Sequence, residues 1–396
     1  MRALILGARA PACLEWARAL TAENWQVTLA DSLRWPLSKF SAVGRDYCQL
    51  PEPRKNPQRW IAALQQLVQQ KNIDWIIPTC EEVFYLAWGA EQLKPYCQIF
   101  CSNFALLQQL HHKGRFAELT KHWPVHAPET HLIENHSQLK LFYSRCQQLV
   151  FKPAFSRFAT NTLIRPAPAQ LDNIQPSAEA PWVAQQFIAG KEHCSFSIIR
   201  AGKLVSHACY HPRYRVGKGS GIYFEVTRPA AIQTFVEQFA EQTHYTGQVA
   251  FDFMEDAEGR MFVLECNPRA TSGVHLFNDN PAALSNGFSE SNNAIAYPSA
   301  HPRMLALAML LFAAGKHFYR KSFWQDYSCA QDILVREGDA IPYYAQLFGL
   351  GEISARVIKH RTGLLAAATA DIEWDGQSME LLMQGQNNGC KKLTSP

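Results

Sequence analysis

Apolar and polar positions fall into short runs whose period changes along the chain. Residues 2–7, Arg-Ala-Leu-Ile-Leu-Gly, are an apolar run closed by glycine, which predicts a strand. Over 11–23, Leu14, Ala17 and Leu20 recur at helical spacing behind Pro11, a residue that helices accept in their first turn. A second strand is predicted over 25–30 ending at Asp31, a helix over 58–70, and a strand over 73–78. Strand and helix in alternation predict a parallel sheet with crossover helices.

The pattern turns to mixed helix and strand from residue 111. A helix is predicted to begin at Lys113, a strand over 149–153 carries Lys152 near its end, and 161–164 is the returning strand. Residues 182–199 read as two strands around Ala189-Gly190, the second opening at Glu192 and leading to a hairpin turn at 201–203. A helix over 231–242 precedes the most informative stretch, 247–277. There two apolar strands, 248–254 and 260–266, flank a polar turn in which Gly259 supplies a positive φ. Residues 278–298 read as a polar loop or linker, and 301–361 as mainly helical. A strand pair, 364–369 with 371–374, is expected ahead of a polar tail.

Composition narrows the class. In 396 residues, 47% are hydrophobic and 18% charged, as in folded proteins with more than one core. A net charge of +4, scattered along the chain, gives no case for nucleic acid or a membrane surface as partner. The longest apolar run, 304–314, is too short to span a bilayer and is expected to be a buried helix. Eleven cysteines lack paired zinc-ligand spacing. With no apolar leader before the first strand, they are expected to be reduced thiols in a cytoplasmic protein.

The candidate chemistry begins with Asp252 and Glu265, which interrupt two apolar strands, and Asn267 two residues further on. Carboxylates in buried strands are costly unless paired. Two carboxylates and an amide oxygen suit Mg²⁺, although an edge hairpin whose acids reach solvent has the same pattern. Asp31 stands where a dinucleotide site would place a ribose-binding acid, but Gly7-Ala-Arg-Ala-Pro-Ala12 holds one glycine where that fingerprint needs three. Thr79, Glu81 and Glu82 follow a strand end and suit either a ligand crevice or an exposed helix cap. Lys152 suits a phosphate as well as a snorkelling position. Residues 210–221, basic, aromatic and glycine-rich, read as a surface loop or a mobile lid carrying Arg213, Arg215 and Lys218.

Taken in order, these segments resemble the ATP-grasp superfamily over roughly residues 1–280. Lys113 matches the first family lysine, and Lys152, in Val150-Phe-Lys-Pro153, the second. Gln185-Gln-Phe-Ile-Ala-Gly-Lys-Glu192 matches the hinge strand. The resemblance implies that Gln185 meets the adenine amino group, that main chain near Phe187 and Ile188 meets the ring, and that Glu192 holds the ribose. Asp252, Glu265 and Asn267 match the metal ligands, and Asn267-Pro-Arg269 the turn whose arginine steadies an acyl phosphate or a substrate carboxylate. An Asp and a Glu thirteen residues apart, followed by Asn-Pro-Arg, form the most specific element.

The fold so implied is α/β and α+β. It comprises a pre-ATP-grasp Rossmann-like domain (1–110), a small ATP-grasp subdomain (111–182), a large one with the metal site (183–290), and a mainly helical C-terminal extension (291–396). The implied activity is an ATP-dependent carboxylate–amine ligase working through an acyl phosphate, with Mg²⁺, or Mn²⁺ in its place. Lys152 and Arg269 are the implied catalytic residues. Its partners would be a small carboxylate and an amine, and its helical extension could cover the site or form a homodimer contact. A kinase, a carbamate-phosphorylating enzyme and a non-catalytic nucleotide-binding protein remain as alternatives. The chain departs from the family where a glycine-rich phosphate loop is usual. It has Phe155-Ser-Arg-Phe158 instead, so that Ser156 and Arg157 would act through side chains. Gln185 stands where many relatives have Glu; its carbonyl still accepts from an amino group.

Overall fold

The computed structural model describes residues 1–156, 161–216, 219, 221–289, 294–360, 363 and 367–379, built around three β-sheets. The first contains β1 (Arg2–Leu6), β2 (Gln26–Asp31), β3 (Tyr47–Gln49), β4 (Trp75–Ile77) and β5 (Gln98–Ile99), all parallel, in the order β3-β2-β1-β4-β5. Helices Pro11–Ala22 and Pro57–Lys71 make two of the crossovers. Asn56 caps the second by accepting from the Arg59 amide. Ala3, Leu4 and Ile5 are fully buried, as a central parallel strand covered on both faces requires. Strand order reverses between β1 and β4, the place where sheets of this kind open a crevice.

The second sheet is antiparallel: β6 (Thr130–Ile133), β7 (Leu149–Pro153), β8 (Leu163–Ile164) and β9 (Trp182–Gln186), in the order β6-β9-β7-β8. It encloses a small core of its own around Ile133, Leu139, Leu149, Phe151 and Leu171. The third sheet begins with β10 (Lys191–Arg200), β11 (Lys203–Arg215) and β12 (Gly221–Thr227). It continues with β13 (Gly247–Glu255), β14 (Met261–Asn267), β15 (Arg303–Met304) and β16 (Gln331–Asp332), in the order β14-β13-β10-β11-β12-β15-β16. Gly259 has φ +78° in the β13–β14 turn, and Asp252 stands directly opposite Glu265.

Several expectations are corrected. Residues 210–215 are not a loop: β11 runs through Arg215, and β12 starts at Gly221. Alternate residues such as Tyr210 and Phe224 are buried between neighbouring elements, which glycine content alone concealed. Lys218 lies outside the described residues. The linker over 278–298 contains two short helical turns, Ala282–Ser285 and Asn286–Phe288, and Phe288 packs against Trp16, Trp25, Trp75 and Phe100. Residues 304–314 are helical only from Ala306 and are buried on one face, through Met309 and Ala313. Met304 is in β15, Met309–Ala313 is a π-helical turn, and Leu311 and Phe312 are more than half exposed. The C-terminal strand pair is absent among its described residues, because Asp371 and Trp374 are drawn into the first sheet's end instead of into a ladder.

Asp31 is unavailable to a ribose. Arg9 holds it at 2.6 Å and also grips Asp371 at 2.6 Å, all three groups being buried. Cysteines among the described residues are free thiols. No helix among the described residues is long and apolar enough to cross a membrane.

The first and third sheets share cores through Trp16, Phe100, Phe196 and Phe277 on one side, and Leu6, Phe235 and Phe251 on the other. Gln248 is a buried polar residue that crosses that boundary. Gln248 accepts from the Trp16 indole at 2.6 Å and donates to the Pro78 carbonyl at 2.7 Å. Gln248→Leu strands both partners in an apolar setting, so urea unfolding is expected to show a loss of about 2–4 kcal/mol. A loss below about 0.5 kcal/mol would show that this bridge does not hold the two sheets together.

Candidate active site

Strand alternation and two close registers build the site. On β10, Glu192 and Cys194 face the same side, and Cys194 pairs with Asp252 on β13, which pairs in turn with Glu265 on β14. Three adjacent strands therefore aim acidic groups or a thiol at one surface. The Glu192, Cys194 and Asp252 donor atoms lie within 4.8 Å of one another. Asn267 ends β14 and donates to Asp252 Oδ2 at 3.3 Å, and Arg269 donates to Asn267 Oδ1 at 3.2 Å.

The second sheet and the helix Lys113–Thr120 supply the cations. Lys152 is nine-tenths buried at the end of β7. Lys113 starts its helix with its amide bonded to the Ala154 carbonyl at 3.0 Å. Its ammonium donates to the Ser156 carbonyl at 2.8 Å and stands 3.5 Å from Glu265 Oε2. The cations thus gather on the Glu265 side of the acidic pair.

That asymmetry separates the two carboxyls. Burial penalises ionisation of Glu265, but Lys113 and then Lys152 outweigh it and hold the group well below the usual carboxylate range. Burial pushes the Asp252 carboxyl up to about 7, with Glu265 and Glu192 adding to the effect. Lys152 is lowered, mainly by burial and further by Lys113, while Glu265 opposes the change. Burial also lowers His111, behind Lys113, to about 4, which keeps its imidazole neutral at pH 7.

Lys113, Lys152, Ser156, Gln185, Phe187, Ile188, Glu192, Asp252, Glu265, Asn267 and Arg269 all line one cavity of about 340 Å³. Arg157 lies outside the described residues. Gln185 is fixed at the cavity wall: its amide nitrogen donates to Thr130 Oγ1 at 3.2 Å and to the Leu264 carbonyl at 3.4 Å. Glu192 is ion-paired with Arg215, which the sequence placed on a lid and the structure places at the end of β11. Arg213, by contrast, turns to Asp326 at 3.2 Å.

Thr79, Glu81 and Glu82 are buried, not an exposed cap. Glu82 accepts from the Thr79 and Cys80 amides at 2.9 Å, and Glu81 Oε1 lies 3.7 Å from Arg269 Nε. Cys194 was not singled out from sequence, although its position two residues after Glu192 on a strand already puts both on one face.

No family model matches the sequence, and no curated protein does. Solved structures do. N5-carboxyaminoimidazole synthetase from Staphylococcus aureus superposes with a TM-score of 0.58 at 14% identity, over 81% of this chain and 86% of that one. The biotin carboxylase domain of Hydrogenobacter thermophilus 2-oxoglutarate carboxylase gives 0.58 at 12% identity, over 74% and 71%. L-amino acid ligase from Bacillus licheniformis gives 0.51 at 16% identity, over 69% and 68%. The chain has the ATP-grasp fold. The cavity lies between the second sheet (β6–β9) and the third (β10–β16), with the parallel sheet's crevice beside it through Glu81.

The Asp252 carboxyl gives a sign-definite test. Its native pKa lies above the ordinary value near 3.9, so protonation stabilises the fold at low pH and that contribution is lost as pH rises from about 4 through about 7. In chelator-treated protein, Asp252→Asn is expected to be more stable than the parent at pH 8, by about 1 kcal/mol or more, and to lose that advantage toward pH 4. An equal or lower stability of the variant at pH 8 would contradict the electrostatic description of the pair.

Proposed function

We propose that the chain is an ATP-dependent ligase that activates a carboxylate as an acyl phosphate and joins it to an amine. The observation that carries this reading is the gathering of phosphate-type lysines, a hinge strand, an acidic pair and Arg269 around one cavity. Neighbouring structures complexed with ADP, and with MgADP and bicarbonate, support the nucleotide assignment. Domain limits at about 110, 182 and 290 belong to the same proposal.

Gln185 has its amide nitrogen engaged, which turns its carbonyl to accept from the adenine amino group. Main chain at Phe187 and Ile188 borders the ring, and Glu192 takes the ribose hydroxyls after releasing Arg215. Lys113, Lys152 and Ser156 face the phosphates. The donor set fits Mg²⁺: Asp252 and Glu265 meet across the β13–β14 register, Asp252 carries an acidic excess that a divalent cation would relieve, and Asn267 adds an amide oxygen. Such a cation, when bound, offsets the charge on the phosphate oxygens during transfer.

Arg269, at the end of this row, presents a bidentate donor to the substrate carboxylate and to the acyl phosphate formed from it. Amine attack then expels phosphate and leaves the amide. Catalysis of this kind works by positioning and charge placement, and needs no nucleophilic side chain.

A second reading has an observation of its own. Two of the similar structures are a carboxyaminoimidazole synthetase and a biotin carboxylase domain, the latter with bicarbonate bound. Bicarbonate is therefore a candidate for the acid, with a carbamate as product.

ADP release measured across amino acids, organic acids and bicarbonate, each with and without amines, decides among these. The ligase reading expects release only when an acid and a nucleophile are both present, and expects Glu265→Gln to reduce it by at least about 100-fold. Release with one substrate and a stable phosphorylated product would mark a kinase. No Mg-ATP binding or turnover with any pairing would overturn the ATP assignment.

A further inference from the structure

The stretch after Lys152 is where this chain lacks the glycines of a phosphate loop, and the described part of it is held from an unexpected direction. Phe155 is enclosed by three rings: His112 at 4.9 Å, Trp374 at 5.2 Å and His111 at 5.8 Å between centroids. Gly376 closes the enclosure. It has φ +90°, and a Cβ at that position would collide with the Phe155 ring. Trp374 and Gly376 belong to a segment more than 200 residues downstream in sequence.

That segment is itself firmly seated. Asp371 is bound by Arg9 through two bonds of 2.6 and 2.8 Å, by Arg356 at 3.1 Å and by the Ser32 hydroxyl. Its carbonyl accepts from the Arg54 amide at 3.0 Å, and the Tyr85 hydroxyl donates to the Glu373 carbonyl at 2.8 Å. Trp374 is 2% exposed, packed against Phe84 and Phe104 as well as Phe155. From there it reaches two parts of the cavity. Its ring abuts Phe155, next to the Ser156 carbonyl that Lys113 grips, and its amide donates to Glu81 Oε2 at 3.4 Å. Glu81 in turn approaches Arg269.

We infer that the segment from Asp371 to Gln377 is a strut that replaces loop glycines as the means of placing the phosphate-facing wall. Its positioning residues are Trp374 and Gly376. A glycine-rich loop follows its ligand by moving its backbone. Here Phe155 is wedged between His111 and His112 on one side and the C-terminal segment on the other, so Ser156 and Lys113 meet the phosphates in a preset geometry. Asp371 anchors the strut, and through Glu81 the same strut steadies Arg269 on the acid side of the cavity. Only the catalytic consequence rests on the ligase reading; the mechanical coupling does not.

The test compares Trp374→Ala, Trp374→Phe and Gly376→Val with the parent by amide hydrogen exchange and by steady-state kinetics. Because the Lys113 amide bonds to the Ala154 carbonyl, its exchange reports directly on the wall. Trp374→Ala and Gly376→Val are expected to speed exchange at Lys113 and over 149–156 by about tenfold or more, with β1 and β4 still protected. Trp374→Phe restores most of the protection. In turnover, the KM for Mg-ATP is expected to rise about tenfold in the first two variants, a larger change than in kcat. Unchanged exchange at Lys113 in both Trp374→Ala and Gly376→Val overturns the inference, as does loss of protection spread equally over β1 and β4. If the parent does not use ATP, the ligase reading fails while the exchange result still decides on the strut.

Discussion

Two carboxylates facing each other across a strand pair are the constraint on which the structure turns. Asp252 and Glu265 occupy one cross-strand position, and like charges placed so close in a cavity repel. The fold answers with cations from a different sheet. Lys113 and Lys152 come from elements that meet β14 only because the second sheet folds over the third, so the charge balance of the pair requires that docking. Compensation is incomplete on the Asp252 side, where Glu192 and Cys194 are the neighbours. A fold governed by stability alone would favour apolar groups there. Retaining an uncompensated acid at the base of a cavity is the arrangement expected of a site awaiting a positive charge.

Much of this was legible because local chemistry and local structure agreed. The β13–β14 hairpin carries its period, its turn glycine and its two acids within one stretch, so the sequence puts Asp252 and Glu265 on neighbouring strands, while an irregularity between Asp252 and Phe253 sets them directly opposite. The parallel sheet was equally readable, since β1 and β4 are apolar on both faces and separated by amphipathic helices. Where long-range contacts decide, the sequence was opaque. Residues 210–221 have the composition of a loop, yet Tyr210, Ile222 and Phe224 find partners that turn them into strands. Leu311 and Phe312 have the composition of a core and are exposed. Asp371 to Trp374 alternate like a strand, but an aspartate with two arginines to meet, Arg9 and Arg356, and a tryptophan with an aromatic recess are held more firmly by those contacts than by a ladder at the chain's end.

The site itself divides the same way. Lys152, Gln185 and Glu192, whose positions follow from their own strands, line the cavity. Cys194 needed only strand alternation to be found. Glu81 was a candidate whose partner could not be read, and Trp374 carried no signal, because each touches something distant: Glu81 approaches Arg269, almost two hundred positions later, and Trp374 packs on Phe155. Buried polar groups of this second kind carry little local signal, since an acidic residue after a strand is equally a helix cap until its partner is known.

The missing glycines and the C-terminal segment then become two aspects of one solution. Close approach of backbone to phosphate is one way to bind it; side-chain donors held rigidly are another, and the second needs an external support. Phe155 cannot move without displacing Trp374, and Trp374 cannot move without disturbing the Asp371 network in the first sheet's crevice. That crevice, where the strand order reverses, is therefore closed by the chain's own carboxylate. Arg9 is engaged by Asp31 and Asp371, and Arg356 by Asp371, Glu52 and Glu352. On the proposed ligase reading, the substrate's carboxylate then belongs in the cavity between the second and third sheets, and the parallel sheet contributes support.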